Sequence, residues 1–304
     1  MAVVNVSIRE NPEAFDLDKY LRSSKRVDLS SVEWGRMHEV PLRPEEARAI
    51  AYMMDIETHT AIFLRDLLAT RAAAEGDVSA FLSCWAYEEY WHGEAFSRFL
   101  GEAGWELRPD RDLPTRKAPY PSRVDRISRI RRDIKHNVPI THVATLFGSI
   151  LNPDFVALHM TWGAINELST LTAYNRLIAR TEHVVLPQML RCVIKDERRH
   201  FAFYRSQAIM RLRRSPRAQK LTRWAVNRFW KPVGTGVRPQ SETDFIVRYL
   251  FDDEDLKTAA EIDDVLEAMP GMEGLGLARR AVNQARLRAG LAPHHRSVGT
   301  VRAR

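Results

Sequence analysis

Apolar residues recur every three or four positions along four long segments of the chain, and this spacing predicts four amphipathic helices. In the first segment the apolar seam runs from Ala47 to Leu68 and passes through Glu57. The seams of the other three segments each contain one glutamate, and these are Glu89, Glu167 and Glu197. Burying a carboxylate without a partner is costly. The pattern therefore predicts an all-α bundle whose interior holds four acids that need cationic partners.

The four segments fall into two similar pairs. Glu57 precedes Glu89 by 32 positions (89 − 57), and Glu167 precedes Glu197 by 30 positions (197 − 167). Turn-forming residues predict a turn at 76–77 in the first pair and at 181–187 in the second. Short turns make consecutive helices antiparallel neighbours. We therefore expect two helical hairpins that pack together as a four-helix bundle.

Two short motifs place a histidine three residues after a seam glutamate. They are Glu88-Glu89-Tyr90-Trp91-His92 and Asp196-Glu197-Arg198-Arg199-His200. Residues i and i+3 share a helix face, so each Glu-x-x-His pair can hold one metal ion. Ferritin-like two-metal bundles combine two such motifs with a single glutamate from each of two further helices. The predicted ligands are therefore Glu57, Glu89, His92, Glu167, Glu197 and His200.

The ferritin-like ligand pattern also implies the metal. It implies two iron ions, with manganese as the alternative in one or both positions. Cys84 and Cys192 lie within predicted helices and are expected to be buried thiols, not ligands. The competing interpretation is an ordinary bundle with four stray core acids, and proteins seldom bury such groups unpaired.

Outside the ligand helices the sequence predicts several further regions. Residues 1–44 are expected to form an irregular N-terminal arm, and the bundle itself spans 45–215. The connection 102–152, inserted between the two hairpins, carries a Pro-rich loop followed by two short helical patterns. Residues 216–290 are predicted to be additional helices packed on the bundle, and 291–304 a disordered basic tail.

The chain has a net charge of +7, and the basic excess is unevenly distributed. Residues 211–240 carry nine basic side chains and no acid, and residues 111–135 carry nine basic against three acidic ones. These stretches are either solvated helix faces or a docking surface for an acidic protein, such as a carrier protein or a ferredoxin. A basic helix resting on an anionic membrane is a further alternative. No nucleic-acid-reading motif is present, so we expect no nucleic acid partner.

The cellular location is predicted from three features of the sequence. It has no pattern of a secretory signal and no apolar run of membrane-spanning length. Its two cysteines cannot form a disulfide framework. We therefore expect a cytoplasmic protein without stable membrane insertion.

The two motifs resemble those of the soluble acyl-acyl carrier protein desaturases, in which Glu-Glu-x-x-His-Gly and Asp-Glu-x-Arg-His supply ligands to a di-iron pair. The resemblance covers roughly residues 45–215. It implies a homodimeric, oxygen-dependent enzyme that desaturates an acyl chain, with an acyl carrier protein and a ferredoxin-type reductant as acidic partners. It also implies that Thr170 lies beside the oxygen-binding face. Asp196 would accept a hydrogen bond from His92, and Glu88 would do the same for His200.

Departures from the family pattern keep other functions open. Tyr90 and Trp91 occupy positions that are polar or basic in the desaturases, which indicates a reshaped pocket. The first alternative is a di-iron hydroxylase or N-oxygenase that tailors a natural product. Val193 stands where arylamine N-oxygenases have an additional histidine, which argues against that branch. The second alternative is a ferroxidase or iron-binding protein, although the subunits of iron-storage proteins are shorter than this chain.

Overall fold

Helices account for all of the regular structure in the described part of the chain, which confirms the all-α prediction. The structure is a computed structural model that describes residues 15–105, 152 and 154–294. Within these ranges there is no β-strand. The α-helices are α1 Leu17–Ser23, α2 Pro44–Leu68, α3 Gly76–Glu102, α4 Phe155–Arg180, α5 Leu186–Arg214, α6 Pro216–Phe229, α7 Gln240–Phe251, α8 Lys257–Glu267 and α9 Leu277–Arg288. The four longest, α2 to α5, correspond to the four predicted seams.

The long helices pack as two pairs, α2 along α3 and α4 along α5. Their ends are fixed by local hydrogen bonds that satisfy otherwise unpaired backbone groups. At the start of α2, the Arg43 backbone N–H donates to Glu46 Oε2 at 2.9 Å. At the start of α5, the Leu186 backbone N–H donates to His183 Nδ1 at 3.2 Å. Because the connections within each pair are short, the helices of a pair run antiparallel, as the hairpin interpretation expects.

The first turn lies earlier than the sequence predicts. The chain leaves α2 at Leu68, forms a short 3₁₀ helix over Arg71–Ala74, and enters α3 at Gly76. Gly76 and Asp77 therefore belong to the first turn of α3, where an acid is favoured by the helix dipole. The glycine signal was misleading because glycine is tolerated at a helix end as well as in a turn.

In the described part of the N-terminal arm, residues 15–44, one segment is helical where the sequence predicts irregular structure. Asp16 caps α1 by accepting a hydrogen bond from the Lys19 backbone N–H at 2.8 Å. α1 packs against α3 and buries Tyr20, which is 2% exposed. A helix of seven residues contains too few apolar positions to establish a 3.6-residue period, so the pattern could not reveal it.

Helices α6, α7 and α8 pack on the bundle, with α4 as their main contact in it, and α9 packs on α7 and α8. Ser215 caps α6 by accepting a hydrogen bond from the Ala218 backbone N–H at 3.0 Å. After α9 the chain folds back, and His294 Nε2 lies 2.6 Å from Asp252 Oδ1. The predictions for 106–151, including both helical patterns of the connection, and for 295–304 of the tail fall outside the described residues.

Two apolar clusters fill the bundle. Phe81 and Tyr204 belong to one, which extends to the C-terminal helices, and Phe96 and Leu190 belong to the other. The seam acids lie between the two clusters along each long helix, so the candidate site is at mid-bundle. No helix in the described ranges has a segment long and apolar enough to cross a membrane.

Candidate metal centre

All six predicted ligands lie together in the interior of the bundle. Each occupies the mid-section of a long helix, and none is more than 6% exposed. α2 contributes Glu57, α3 contributes Glu89 and His92, α4 contributes Glu167, and α5 contributes Glu197 and His200. Four separate helices must be packed in register to assemble this set. The bundle is therefore the scaffold that positions the site.

The six residues form two overlapping groups. We call them the first half-site, Glu57, Glu89, His92 and Glu197, and the second half-site, Glu89, Glu167, Glu197 and His200. Within each group, one potential ligand atom of each residue lies within 4.8 Å of those of all the others. Glu89 and Glu197 belong to both half-sites. They could each contribute to two cations, whereas each of the other four residues would serve one.

Both imidazoles present Nδ1 to the carboxylates. His92 Nδ1 lies 3.1 Å from Glu197 Oε1, and His200 Nδ1 lies 3.0 Å from Glu89 Oε1. The opposite ring atom of each histidine meets a carboxylate outside the cluster: Nε2 of His92 lies 3.2 Å from Asp196, and Nε2 of His200 lies 2.7 Å from Glu88. Outer carboxylates of this kind fix the tautomer and orientation of a metal-bound imidazole.

Several polar atoms at the centre have no hydrogen-bond partner among the described residues. They are Nδ1 of His92, Nδ1 of His200 and both carboxylate oxygens of Glu197. These atoms are fully buried and lie close to one another, yet their geometry does not make hydrogen bonds. A buried polar atom that lacks a partner destabilises a fold. Two divalent cations between these atoms would satisfy all of them, so the residues present fit a two-metal site.

The electrostatics of the cluster also indicate that its buried carboxylates need positive charge nearby. Burial, and then the negative charge of Glu89, raises the pKa of Glu57 and that of Glu167 well above the usual range of a carboxyl. Burial opposes protonation of His92 and His200, but the surrounding carboxylates still raise the pKa of each imidazole well above its ordinary value. Without metal, these shifts favour the protonated forms of Glu57, Glu167 and the two imidazoles. Metal binding should therefore release protons.

Arg199 connects the two outer carboxylates, a contact that the sequence motif did not indicate. Its Nη2 donates to Glu88 Oε1 at 2.8 Å and to Asp196 Oδ1 at 2.5 Å. Tyr20 of α1 also donates its hydroxyl to Glu88, at 2.8 Å. With these partners and the histidines, the pKa values of Glu88 and Asp196 are lowered although burial opposes this. Both outer acids are thus held as carboxylates that can accept from the imidazoles.

The two single glutamates each receive a hydrogen bond from an aromatic residue. Tyr174 donates its hydroxyl to Glu57 Oε1, and Trp85 donates Nε1–H to Glu167 Oε1 at 3.0 Å. Both donors occupy seam positions, for which the sequence favours core aromatics, with a radical site as the alternative interpretation of Tyr174. Each of these hydrogen bonds uses one carboxylate oxygen, Oε1. The bond therefore constrains which oxygen of the glutamate faces the cluster.

Thr170 lies outside the six-residue cluster. It is half-buried and lines an apolar cavity whose wall also includes Glu57 and Tyr174. This places its side chain on the side of the first half-site. The oxygen-related role that the resemblance implies for Thr170 stays a prediction.

The basic stretch 211–240 is only partly available as a docking surface. Arg211 pairs with Glu75, and Arg238 pairs with Asp55 at 2.7 Å. By contrast, the solvent face of α6 exposes basic side chains beside Trp224, which is 59% exposed. The other basic stretch, 111–135, lies outside the described residues.

The two cysteines are free thiols: Cys84 is half-buried, Cys192 is buried, and neither belongs to the ligand groups found in the described residues.

The chain matches no protein-family model, and comparisons with curated proteins and with solved structures gave no match either. The geometry of the metal centre is therefore the main guide to function.

Proposed function

We propose that this chain is an oxygen-dependent oxidoreductase that holds two iron ions in its bundle, with manganese as the alternative in one or both positions. The observation that carries the proposal is the pair of half-sites that share Glu89 and Glu197 and leave four buried polar atoms without partners. A single structural cation would not need two bridging carboxylates. Six carboxylate and imidazole ligands also leave coordination positions open on a pair of such metals.

The bound metals would supply the activation of oxygen, and the protein would supply positioning. Glu88 and Asp196 hold the imidazoles of His200 and His92 by their Nε2 atoms, so each Nδ1 would be free to hold a metal. Tyr174 keeps its proton on the hydroxyl that donates to Glu57, because burial raises its pKa far above the ordinary value. Thr170 carries a hydroxyl in the adjacent cavity and would pass protons towards the first half-site.

Desaturation of an acyl chain is the reaction we favour. It is supported by the motif resemblance and by the position of Val193, which is fully buried and adds no ligand one turn before Glu197. The external electrons that the reaction needs would come from an acidic ferredoxin-type protein, and the acyl chain from an acidic carrier protein. The exposed basic face of α6 fits such partners by charge. We expect the enzyme to act as a homodimer.

The first test is metal content. Protein loaded anaerobically with Fe(II) should contain about two metal ions per chain, because each half-site has a full ligand group. A chain that binds no iron, or that loads as well after His92→Ala and His200→Ala as before, would contradict the proposal.

The second test separates the candidate reactions. The diferrous protein is mixed with oxygen and a panel of acyl-carrier-protein thioesters and arylamines, and products are identified by mass spectrometry. Loss of two hydrogens from an acyl chain supports desaturation. Gain of one oxygen atom on any substrate moves the assignment to a hydroxylase or N-oxygenase. Oxygen consumption without an organic product, by a protein that elutes as a large cage, indicates the ferroxidase alternative.

A further inference from the structure

Two large aromatic side chains lie exposed and side by side in the second half of α6. Trp224 is 59% exposed and Phe229 is 51% exposed. Their rings meet edge to face, with centroids 5.2 Å apart and an interplanar angle of 84°. A single exposed apolar residue needs no explanation, but grouped ones indicate a contact site for another molecule or for a membrane.

Cationic side chains surround these rings. Positions three or four apart share a helix face, and Lys220, Trp224 and Arg228 occur at this spacing and are all exposed. Arg217, one turn before Lys220, and Lys231, just after the helix, are exposed as well. The α6 face, as we define it, consists of Arg217, Lys220, Trp224, Arg228, Phe229 and Lys231.

The helix that carries this face is firmly seated on the bundle. Ala218, Thr222 and Val226, on its opposite side, are at most 1% exposed. Arg223, at the edge between the two sides, donates from Nη1 to the Glu273 carbonyl at 2.7 Å. The exposed rings and cations therefore project from a fixed support, and α6 does not have to be ordered when a partner binds.

Nearby acids do little to neutralise the α6 face. Residues 211–240 contain no acid. Asp154 lies 3.6 Å from Arg217, whose side chain is still 69% exposed. The Glu273 carboxylate accepts a hydrogen bond from the Gly271 backbone N–H at 3.2 Å. A second copy of the chain would bring like charges together at this face, whereas a negatively charged surface would complement it.

We propose that the α6 face binds reversibly to an anionic lipid membrane, with its rings among the headgroups and its cations beside the phosphates. Tryptophan is favoured at membrane interfaces because its ring is apolar and its N–H is polar. Long Lys and Arg side chains lay their stems along apolar surface and keep their charges in water.

The exposed rings favour a membrane over an acidic protein, which charge alone would suit equally well. They stand on the convex surface of a helix. A protein partner would need a matching pocket for them, since aromatic anchors bind in well-packed pockets, whereas a fluid bilayer takes them up without one. The inference goes beyond the proposed function and does not depend on the metal centre.

The first test is co-sedimentation of the full chain with lipid vesicles at physiological ionic strength. The parent should bind phosphatidylcholine vesicles that contain about 30% phosphatidylserine, should not bind phosphatidylcholine alone, and should dissociate as salt is raised. Lys220→Gln/Arg228→Gln should bind about 25-fold more weakly, because each charge at an anionic surface contributes about fivefold. Lys25→Gln/Lys195→Gln removes the same charge at exposed positions, and Lys195 lies roughly 30 Å before α6 along α5, so this control should bind like the parent.

The second test concerns the rings. Trp224→Ala should weaken binding at least about fivefold, because the apolar area that the ring buries is lost. Leu287→Ala, at a position of α9 that is equally exposed at 58%, should have no effect. Trp224→Phe should keep most of the affinity. Brominated phosphatidylcholine in the anionic vesicles should quench the fluorescence of the bound parent and not that of bound Trp224→Phe.

Circular dichroism verifies that each variant is folded, and if Trp224→Ala does not fold, the quenching comparison with Trp224→Phe decides. Equal binding to neutral and anionic vesicles, equal binding by the two double variants, or equal quenching of parent and Trp224→Phe would overturn the inference. A parent that ignores vesicles but binds poly-L-glutamate would also overturn it, because the α6 face would then be a site for acidic polypeptides.

Discussion

The two half-sites have the same kinds of ligand but different surroundings. The first half-site borders the apolar cavity through Glu57. The second half-site is enclosed by aromatic rings, because the Trp85 ring that donates to Glu167 packs edge-on against Tyr204, with centroids 5.8 Å apart. The pairing of two similar hairpins explains why Glu89 and Glu197 belong to both half-sites. The asymmetry comes from the C-terminal helices that line the cavity and from aromatic side chains of α3 and α5.

The outer carboxylates that contact the two histidines also differ, both in burial and in the hydrogen bonds they receive. Glu88, the partner of His200, is fully buried and also receives hydrogen bonds from Tyr20 and Arg199. Asp196, the partner of His92, is partly exposed and has a longer contact with its imidazole. The second half-site is thus the more rigidly held, and the first is the one with space for a substrate. We expect chemistry on the substrate to take place at the first.

The largest effect expected is from the shared carboxylates. Glu197→Gln removes a ligand from both half-sites and should abolish loading of both metals, because each position would lose charge compensation in a buried site. Glu57→Gln and Glu167→Gln each remove a ligand from one half-site and should cost about one of the two metals. Elemental analysis of the three variants after anaerobic loading measures this.

A Glu197→Gln protein that retains one metal would show that the two positions are independent and do not share this residue. Glu45→Gln, on the exposed first turn of α2, is the matched control and should load like the parent.

The outer carboxylates should have the next largest effect. Loss of such partners lowers metal affinity about 10–100-fold. Glu88→Gln should lie near the upper end of this range and Asp196→Asn near the lower end, because Glu88 is the more buried and the more fully bonded. Competition with a chelator measures both affinities. Equal losses would mean that the difference in burial has no influence on how firmly each imidazole is held.

Sequence periodicity was sufficient to place the six candidate ligands in the interior, because each one replaces an apolar residue in a helix seam. A seam position predicts that a side chain faces the interior, and Glu57 and Glu167 were found in this way although no motif marks them. The hydrogen bonds of Asp196 and Glu88 with the histidines could be predicted only from the family resemblance, since these contacts depend on which helix lies opposite.

The surroundings of the site could not be predicted from the same pattern. Tyr20 reaches Glu88 from 68 residues away along the chain, by way of a helix too short for periodicity. Ala281 lines the same cavity as Glu57 because α9 packs on α7 and α8, and nothing in an alanine specifies its tertiary neighbour. Periodicity reports that a residue is inside, but not what it contacts there.

A smaller effect is expected from the aromatic wall of the second half-site. Gly163, in the middle of α4, faces the Tyr204 ring, and a Cβ there would overlap it. Gly163→Ala should lower the free energy of unfolding by about 1–2 kcal/mol, because overpacking outweighs the gain in helix propensity. Gly76→Ala is the matched control, since nothing lies within 4 Å of its Cβ position, and it should be neutral or slightly stabilising. Denaturant unfolding of both variants measures the difference, and equal stabilities would mean that the Tyr204 ring is not held in place.

The smallest effect expected is a pH dependence from His159, which packs beside Tyr204 on the enclosed side. Burial, and then the charge of Arg211, lowers the pKa of His159 to about 4. The unfolded chain takes up this proton near pH 6.5, whereas the folded chain does so only near pH 4, so stability is lost as pH falls between these values. Lowering the pH from 7 to 5.5 should therefore cost about 1 kcal/mol through this residue. His159→Gln cannot titrate, and denaturant unfolding of metal-free parent and variant isolates the contribution. The variant should lose about 1 kcal/mol less than the parent over this range, whereas identical losses would mean that solvent reaches the imidazole and that the second half-site is not closed on this side.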